Sequence, residues 1–144
     1  MTLKIKIKIA NGATMPSYAH KGDSGMDVYS FEDFVLQPME RKLARTGISL
    51  EIPHGFEAQI RPKSGLAITH GISHVNCVGT IDSGYRGEIK VPLINLSDTA
   101  YHVEKGKKIG QMVFAKVEEA VLEETAELSD TSRGQGGFGS TGLG

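Results

Sequence analysis

The C-terminal stretch RGQGGFGSTGLG combines groups that bind phosphate with a group that binds a flat base. Half of its residues are glycine, which lets the backbone approach a ligand closely and point several N–H groups at one anion. Arg133 offers a planar fork for phosphate oxygens, while Ser140 and Thr141 offer hydroxyl donors. The ring of Phe138 could stack on a base. The alternative is a mobile glycine-rich tail without a ligand.

A second candidate anion site lies in the stretch IRPKSGLAITHG. Lys63, Ser64 and Gly65 precede a short run that is compatible with a helix. The first N–H groups of a helix, together with the positive end of its dipole, attract anions. A simple capped turn is the alternative explanation of the same residues.

Three further stretches carry a carboxylate or an amide that could act in catalysis. In NCVGTIDSGYRGEIKV, Asp82 lies at the tip of a hairpin-like element, and Tyr85 follows three residues later. In SGMDVYS, Asp27 lies between apolar residues of a strand, where it could reach a metal-bound water or face solvent. In GKKIGQMVF, Gln111 alternates with apolar residues. Each has a structural alternative as a turn aspartate or a solvent-facing side chain.

Familiar nucleotide and zinc motifs do not explain the chain. The tail matches G-x-G-x-x-G from Gly134, but the dinucleotide fingerprint needs a strand before it and a helix after it. Lys107 is followed by Lys108 and not by the Ser or Thr of a phosphate-binding loop. His70 and His74 are four residues apart in a stretch that lacks a clear helical pattern and a third ligand, so zinc is not expected.

Short strands must position these groups. Leu3, Ile5, Ile7 and Ile9 alternate with lysines, which is the pattern of a half-buried strand. Turn signals separate similar runs, which are FEDFVL, GISLEIP, FEAQI, EIKVPLINL, AYHVE and IGQMVFAKV. This pattern predicts an all-β sandwich or barrel of jelly-roll type. Pro92 predicts an edge or a bulge in its strand.

Helix signals are scarce. The stretch EEAVLEETAEL, from Glu118, has helix-forming residues and also alternates in period two, so its pattern does not separate helix from strand. SGLAITHG predicts one or two helical turns at most. After Asp130 the chain becomes polar and glycine-rich. We therefore predict a β domain over residues 1–129 and a flexible arm over residues 130–144.

Composition limits the partners that this chain can have. Its 144 residues, 39% hydrophobic and 23% charged, are typical of one soluble domain. The net charge of −1 provides no general attraction to nucleic acid or anionic membranes, so we expect neither as a partner. The N-terminus lacks the apolar block of a secretion signal, and the single Cys77 excludes an internal disulfide. The sequence predicts a cytoplasmic location.

The five stretches, in this order, resemble the homotrimeric dUTPase family. They are SGMDVYS, RPKSGLA, NCVGTIDSGYRGEIKV, GKKIGQMVF and RGQGGFGSTG, and they run from Ser24 to Gly142. The resemblance implies a distorted jelly roll with at most one short helix, and a homotrimer with shared active sites. It implies Mg²⁺-dependent hydrolysis of dUTP to dUMP and pyrophosphate, which keeps uracil out of DNA and supplies dUMP for thymidylate synthesis.

The resemblance also implies a role for each matched residue. Asp82 matches the general base that activates water, and Asp27 matches the carboxylate that holds magnesium through water. Tyr85 matches the ring beneath the deoxyribose. The positions that match substrate-binding residues are Lys63, Ser64, Gly65, Asn76, Gly79, Ile81, Tyr85, Gln111, Arg133, Phe138, Gly139, Ser140 and Thr141.

Within this set, the resemblance divides the nucleotide among three subunits. The stretches of Asp27, Ser64 and Gln111 come from one subunit and meet the phosphates. The hairpin of Asp82, with Asn76 and its backbone groups, comes from a second subunit and reads uracil. The arm comes from a third, with Phe138 stacked on uracil. Lys63 stands where the family usually has arginine. Lysine keeps the positive charge but lacks the bidentate hydrogen-bonding fork of arginine.

Two other functions compete with dUTP hydrolysis. A dCTP deaminase of the same fold would need a group that aims water at C4 of cytosine, and the Asp82–Tyr85 hairpin fits dUTP hydrolysis better. A non-catalytic regulator that binds dUTP would lack either the base or the arm, and both are present here.

Overall fold

The computed structural model describes residues 2–142 and 144. These residues form ten strands and one short helix. In chain order the elements are β1 (Lys6–Ile9), β2 (Met26–Tyr29), β3 (Phe34–Leu36), β4 (Arg41–Glu51), β5 (Phe56–Arg61), α1 (Ser64–His70), β6 (Ile72–His74), β7 (Gly79–Ile81), β8 (Glu88–Asn95), β9 (Tyr101–Val103) and β10 (Lys108–Lys116).

Two four-stranded antiparallel sheets and one two-stranded sheet build the domain. The first has the strand order β1-β4-β8-β6, the second has the order β2-β10-β5-β7, and β3 pairs with β9. Because side chains alternate between the two faces of a strand, β8 buries Ile89, Val91 and Leu93 and turns the residues between them outward. These side chains share one core with Ala58 of β5 and Met112 of β10. The predicted all-β class with one short helix is confirmed.

The structure corrects the strand predictions at three places. The strand predicted at GISLEIP begins earlier, at Arg41. The strands β6 and β7 are not predicted, because Ile-Ser-His and Gly-Thr-Ile each contain only one large apolar residue. The edge or bulge expected at Pro92 is wrong, since β8 lies between β4 and β6. The carbonyl of Pro92 accepts the N–H of Val75 at 2.9 Å, just beyond the end of β6. Its missing N–H therefore points past the paired part of β6.

The stretch from Glu118 forms neither a helix nor a strand. Val121, Leu122 and Leu128 are 91%, 94% and 86% exposed, so the described residues give these apolar side chains no packing that would stabilise an amphipathic element. The helix predicted after Pro62 is confirmed as α1. The division into a domain over 1–129 and an arm over 130–144 stays a prediction, and Met1 and Leu143 lie outside the described residues. Within those residues, the structure contains no helix of the length and apolarity that crossing a membrane requires.

Candidate active site

A buried carboxylate on β2 is held by two lysines. The side chain of Asp27 is 8% exposed, and its Oδ1 lies 2.5 Å from Nζ of Lys63 while its Oδ2 lies 2.9 Å from Nζ of Lys108. Burial opposes ionisation, but the hydrogen bonds and charges of Lys63 and Lys108 outweigh it, so the pKa of Asp27 lies below its usual 3.8. Asp27 is therefore an anion at neutral pH.

The loop between β5 and α1 packs beside this carboxylate. Gln111 of β10 is the register partner of Asp27 on β2, and its Nε2 donates to the carbonyl of Pro62 at 3.0 Å. Lys63 keeps an extended backbone before the helix, and Ser64 and Gly65, the first residues of α1, are exposed. The structure thus brings together five of the predicted positions, namely Asp27, Lys63, Ser64, Gly65 and Gln111.

Asp82, the predicted general base, and Tyr85, the predicted platform for the sugar, lie together in a second region of the surface. Asp82 follows β7 and is exposed, and its carbonyl accepts the N–H of Tyr85 at 3.1 Å. Both residues line an open cleft of about 560 Å³ together with Ile81 and Gly87. A carboxylate that is open to water beside an exposed ring is accessible to a ligand that enters from solvent.

The uracil-side positions lie at the start of this hairpin. Asn76 is exposed, and Gly79 is buried because it pairs with Ile60 of β5. Nδ2 of Asn76 lies 3.4 Å from the position that a Cβ on Gly79 would take. The side chain of Asn76 therefore packs over the backbone of Gly79, next to the N–H and C=O groups that could read a base edge.

Within one chain, the two regions lie at opposite ends of β5. Ile81 pairs with Ala58, so Asp82 lies beside the beginning of β5, whereas Ser64 follows its end at Arg61. The four residue steps from Glu57 to Arg61 span about 13 Å at 3.3 Å per step. One chain therefore separates the carboxylate at position 82 from the loop of Ser64.

The arm residues hydrogen-bond among themselves. Nε of Arg133 donates to the carbonyl of Gly136 at 2.8 Å, and the N–H of Ser140 donates to the carbonyl of Gly137 at 3.0 Å. The ring of Phe138 is fully exposed, and Gly139 and Thr141 are exposed as well. The structure places these five predicted residues in one segment and does not bring them to Asp82 or Ser64.

The residues around Asp27 suit a magnesium ion that is held through water. Within residues 2–142, no three His, Cys, Asp or Glu side chains converge on a metal position. Magnesium typically keeps several waters and binds through one or two carboxylates and substrate phosphates. Each carboxylate oxygen of Asp27 accepts a hydrogen bond from one lysine ammonium. Each oxygen keeps a further lone pair, which could accept a hydrogen bond from a metal-bound water.

Sequence reasoning missed several neighbours of the site. Lys108 precedes Gln111 by three residues in the stretch GKKIGQMVF, and its positive charge is the sequence signal for a role beside Asp27. Gly87 is part of the hairpin stretch, but its packing against Tyr85 depends on a fold of the chain that no local pattern shows. The ion pair between Arg45 and Glu88 joins residues 43 positions apart, and sequence spacing gives no signal for it.

Comparisons with known proteins identify the family of this chain. The family model described as dUTPase matches residues 11–142. The chain is 52% identical over 142 residues to a deoxyuridine 5'-triphosphate nucleotidohydrolase of Clostridium kluyveri, covering 99% of each protein. It is 50% identical over 146 residues to one of Zymomonas mobilis, covering 99% of this chain and 100% of that protein.

Solved structures show the same fold. The dUTPase of Staphylococcus bacteriophage 80alpha with dUPNHPP superimposes with a TM-score of 0.91 at 27% identity, covering 99% of this chain and 100% of that one. A mutant dUTPase of S. aureus phage phi11, studied for the coordination of a structural Mg(II) ion, has a TM-score of 0.81 at 22% identity and covers 88% of this chain and 99% of that one. The predicted dUTPase-like fold is confirmed, and this chain belongs to the dUTPase family.

Proposed function

We propose that this chain hydrolyses dUTP to dUMP and pyrophosphate, and so keeps uracil out of DNA and supplies dUMP for thymidylate synthesis. The observation that carries the proposal is the exposed carboxylate of Asp82 in one cleft with Tyr85, in a chain of the dUTPase family. A dCTP deaminase would need a water-activating group aimed at the cytosine ring, and this cleft presents a carboxylate beside a sugar platform.

Asp82 acts as the general base. Its carboxylate orients a water and takes its proton as the water attacks the α-phosphorus in line with the departing pyrophosphate. A carboxylate is a weak base for water, so positioning and electrostatic stabilisation supply most of the rate. Arg133, Ser140, Thr141 and the arm N–H groups stabilise the charge that grows on the leaving pyrophosphate.

The cluster around Asp27 serves the phosphates. Magnesium, when bound with the substrate, neutralises part of the triphosphate charge. Asp27 would hold the ion through water, while Lys63 and Lys108 keep the carboxylate ionised and fixed. Ser64 and Gly65 present their polar groups to the phosphates at the exposed start of α1. Gln111 fixes the loop between β5 and α1 by donating a hydrogen bond to the carbonyl of Pro62.

Selectivity follows from exclusion at the hairpin. Asn76 and the backbone groups of Gly79 and Ile81 pair with the uracil edge, and a cytosine edge would leave them unpaired. A mismatch of this kind discriminates by roughly 10⁴-fold. The ring of Tyr85 under the sugar leaves no space for a 2′-hydroxyl.

Assembly as a homotrimer completes the site. Asp82 and Ser64 must both reach one triphosphate, but a single chain places them at opposite ends of β5. This separation supports a site that is shared between subunits, with the hairpin of one facing the phosphate loop of another. The arm over residues 130–144 closes over the nucleotide, and the full exposure of the Phe138 ring supports this role.

The direct test is pyrophosphate release with Mg²⁺ and dUTP, compared with dCTP, dTTP and UTP. We expect turnover of dUTP to exceed that of each other nucleotide by roughly 10³-fold or more. Ammonia release from dCTP would show a deaminase instead. Equal release of pyrophosphate from all four nucleotides would contradict the proposed selectivity, and no release from dUTP would overturn the proposed activity.

A further inference from the structure

We infer that the ion pair between Arg45 and Glu88 is a positioning clamp that sets the ring of Tyr85 and thereby the preference for deoxyribose over ribose. The inference rests on the proposed function, in which Tyr85 lies beneath the sugar. Neither Arg45 nor Glu88 is assigned a contact with the nucleotide, so both act through Tyr85.

The ring of Tyr85 is anchored at its far end. Its hydroxyl donates to the backbone carbonyl of Glu88 at 2.9 Å. The ring is 44% exposed, so little packing holds it on the solvent side. The hydrogen bond to the Glu88 backbone, together with the contact of the ring with Gly87, therefore sets where the ring lies.

Arg45 holds Glu88 with a fork of hydrogen bonds. Nε of Arg45 donates to both carboxylate oxygens, at 3.3 and 3.1 Å, and its Nη2 donates to Oε1 at 2.9 Å. The guanidinium of Arg45 also lies 5.0 Å from the ring centre of Phe31. The hydrogen bonds from Arg45 lower the pKa of Glu88, which keeps the pair charged at neutral pH.

The clamp lies where the backbone ladder is interrupted. Arg45 pairs with Lys90 and Ser49 pairs with Glu88, so residues 46–48 of β4 face only Ile89 of β8. At this bulge the hydroxyl of Thr46 donates to the carbonyl of Ile89. Side chains of β4 thus replace regular ladder bonds at the first residues of β8, directly after the hairpin that carries Tyr85.

A merely structural ion pair would affect stability but not sugar selection. Lys42 provides a matched control on the same strand, because its Nζ lies 3.5 Å from Glu32 and 5.4 Å from the ring centre of Phe34. It makes an ion pair and a ring contact of the same kinds as Arg45. Its partner Glu32 accepts the backbone N–H of Arg45 at 3.3 Å, but Lys42→Ala keeps both that carboxylate and the fork of Arg45 on Glu88.

The experiment compares wild type, Arg45→Ala, Glu88→Ala, the double variant, Arg45→Lys and the control Lys42→Ala. For each, kcat/KM is measured with dUTP and UTP, and binding of the α,β-imido analogues of both nucleotides is measured by calorimetry. We expect both single variants to lower the dUTP-to-UTP ratio by about two- to tenfold, the effect of loosening one hydrogen bond. The double variant should be no worse than either single one. Arg45→Lys should recover part of the ratio, and Lys42→Ala should leave it unchanged.

An unchanged ratio in Arg45→Ala, or an equal fall in Lys42→Ala, would overturn the clamp while leaving dUTP hydrolysis intact. Thermal unfolding verifies that each variant is folded, and Glu88→Gln, which keeps the side-chain volume, serves as the substitute if an alanine variant does not fold. Wild type that neither binds the deoxy analogue nor cleaves dUTP would overturn the proposed function and this inference together.

Discussion

The side chain of Tyr85 fills the space that a Cβ on Gly87 would need. Its hydroxyl oxygen and Cζ lie 2.5 and 2.6 Å from that position, well inside van der Waals contact. Gly87→Ala should therefore displace the ring of Tyr85 and break the hydrogen bond from its hydroxyl to the carbonyl of Glu88, without disturbing buried backbone. We expect a folded protein in which turnover of UTP rises relative to dUTP, as for Tyr85→Ala.

Gly84→Ala is the control for this prediction. A Cβ on Gly84 meets no atom within 4 Å, although it lies in the same hairpin. Kinetics with both nucleotides should show a changed ratio for the first variant and the wild-type ratio for the second. An unchanged ratio in Gly87→Ala, or in Tyr85→Ala, would remove the account of sugar selection.

The buried ion pair of Asp27 should matter more for stability than an exposed one. Lys63→Met leaves a carboxylate that is 8% exposed with one ammonium in place of two. We expect the free energy of unfolding in urea to fall by about 1–3 kcal/mol. Lys6→Met breaks the exposed pair with Glu51 and should cost no more than about 1 kcal/mol. Equal losses in the two variants would show that burial does not strengthen the Asp27 pair.

His74 makes stability depend on pH. Burial lowers the pKa of His74 below its usual 6.5, although a hydrogen bond to the carbonyl of Ile109 opposes this. The folded state then binds fewer protons than the unfolded state just below pH 6.5, so this stabilisation is complete above pH 6.5 and is lost as the pH falls. Urea unfolding at fixed protein concentration, from pH 8 to pH 5.5, measures the effect.

His74→Asn should weaken this pH dependence, whereas the same change at the exposed His54 should preserve it. If wild type and His74→Asn gave the same slope of unfolding free energy against pH, the buried histidine would not be the cause.

Removal of the arm should separate folding from catalysis. The buried core residues all lie at or before Met112, so deletion of residues 133–144 should leave thermal unfolding nearly unchanged. Turnover of dUTP should fall by about 10²-fold or more, because donors to the leaving pyrophosphate are lost. Gln135→Ala, which changes an arm residue without an assigned role, should keep full activity. Full activity in the truncated protein would contradict a catalytic arm.

The sequence predicts more about the residues of the site than about how one chain arranges them. Alternation in β1 and β8 is strong because one face of each strand packs against the core, so those strands are predicted correctly. The strands β6 and β7 carry one large apolar residue each and show no such pattern. Yet the pairing of β7 with β5 places Asp82 at one end of β5, with Ser64 at the other. The stretch from Glu118 is ambiguous in sequence because helix-forming residues alternate in period two. Its large apolar side chains are exposed, so packing selects neither a helix nor a strand.

The central claim is that Asp82 activates the attacking water. Asp82→Asn keeps the size of the side chain but cannot take the proton. We expect affinity for the α,β-imido analogue of dUTP to remain within a few-fold of wild type, while kcat for dUTP falls by about 10²- to 10⁴-fold. Retained binding with lost cleavage is the predicted result. A folded Asp82→Asn protein that cleaves dUTP at the wild-type rate would contradict the mechanism.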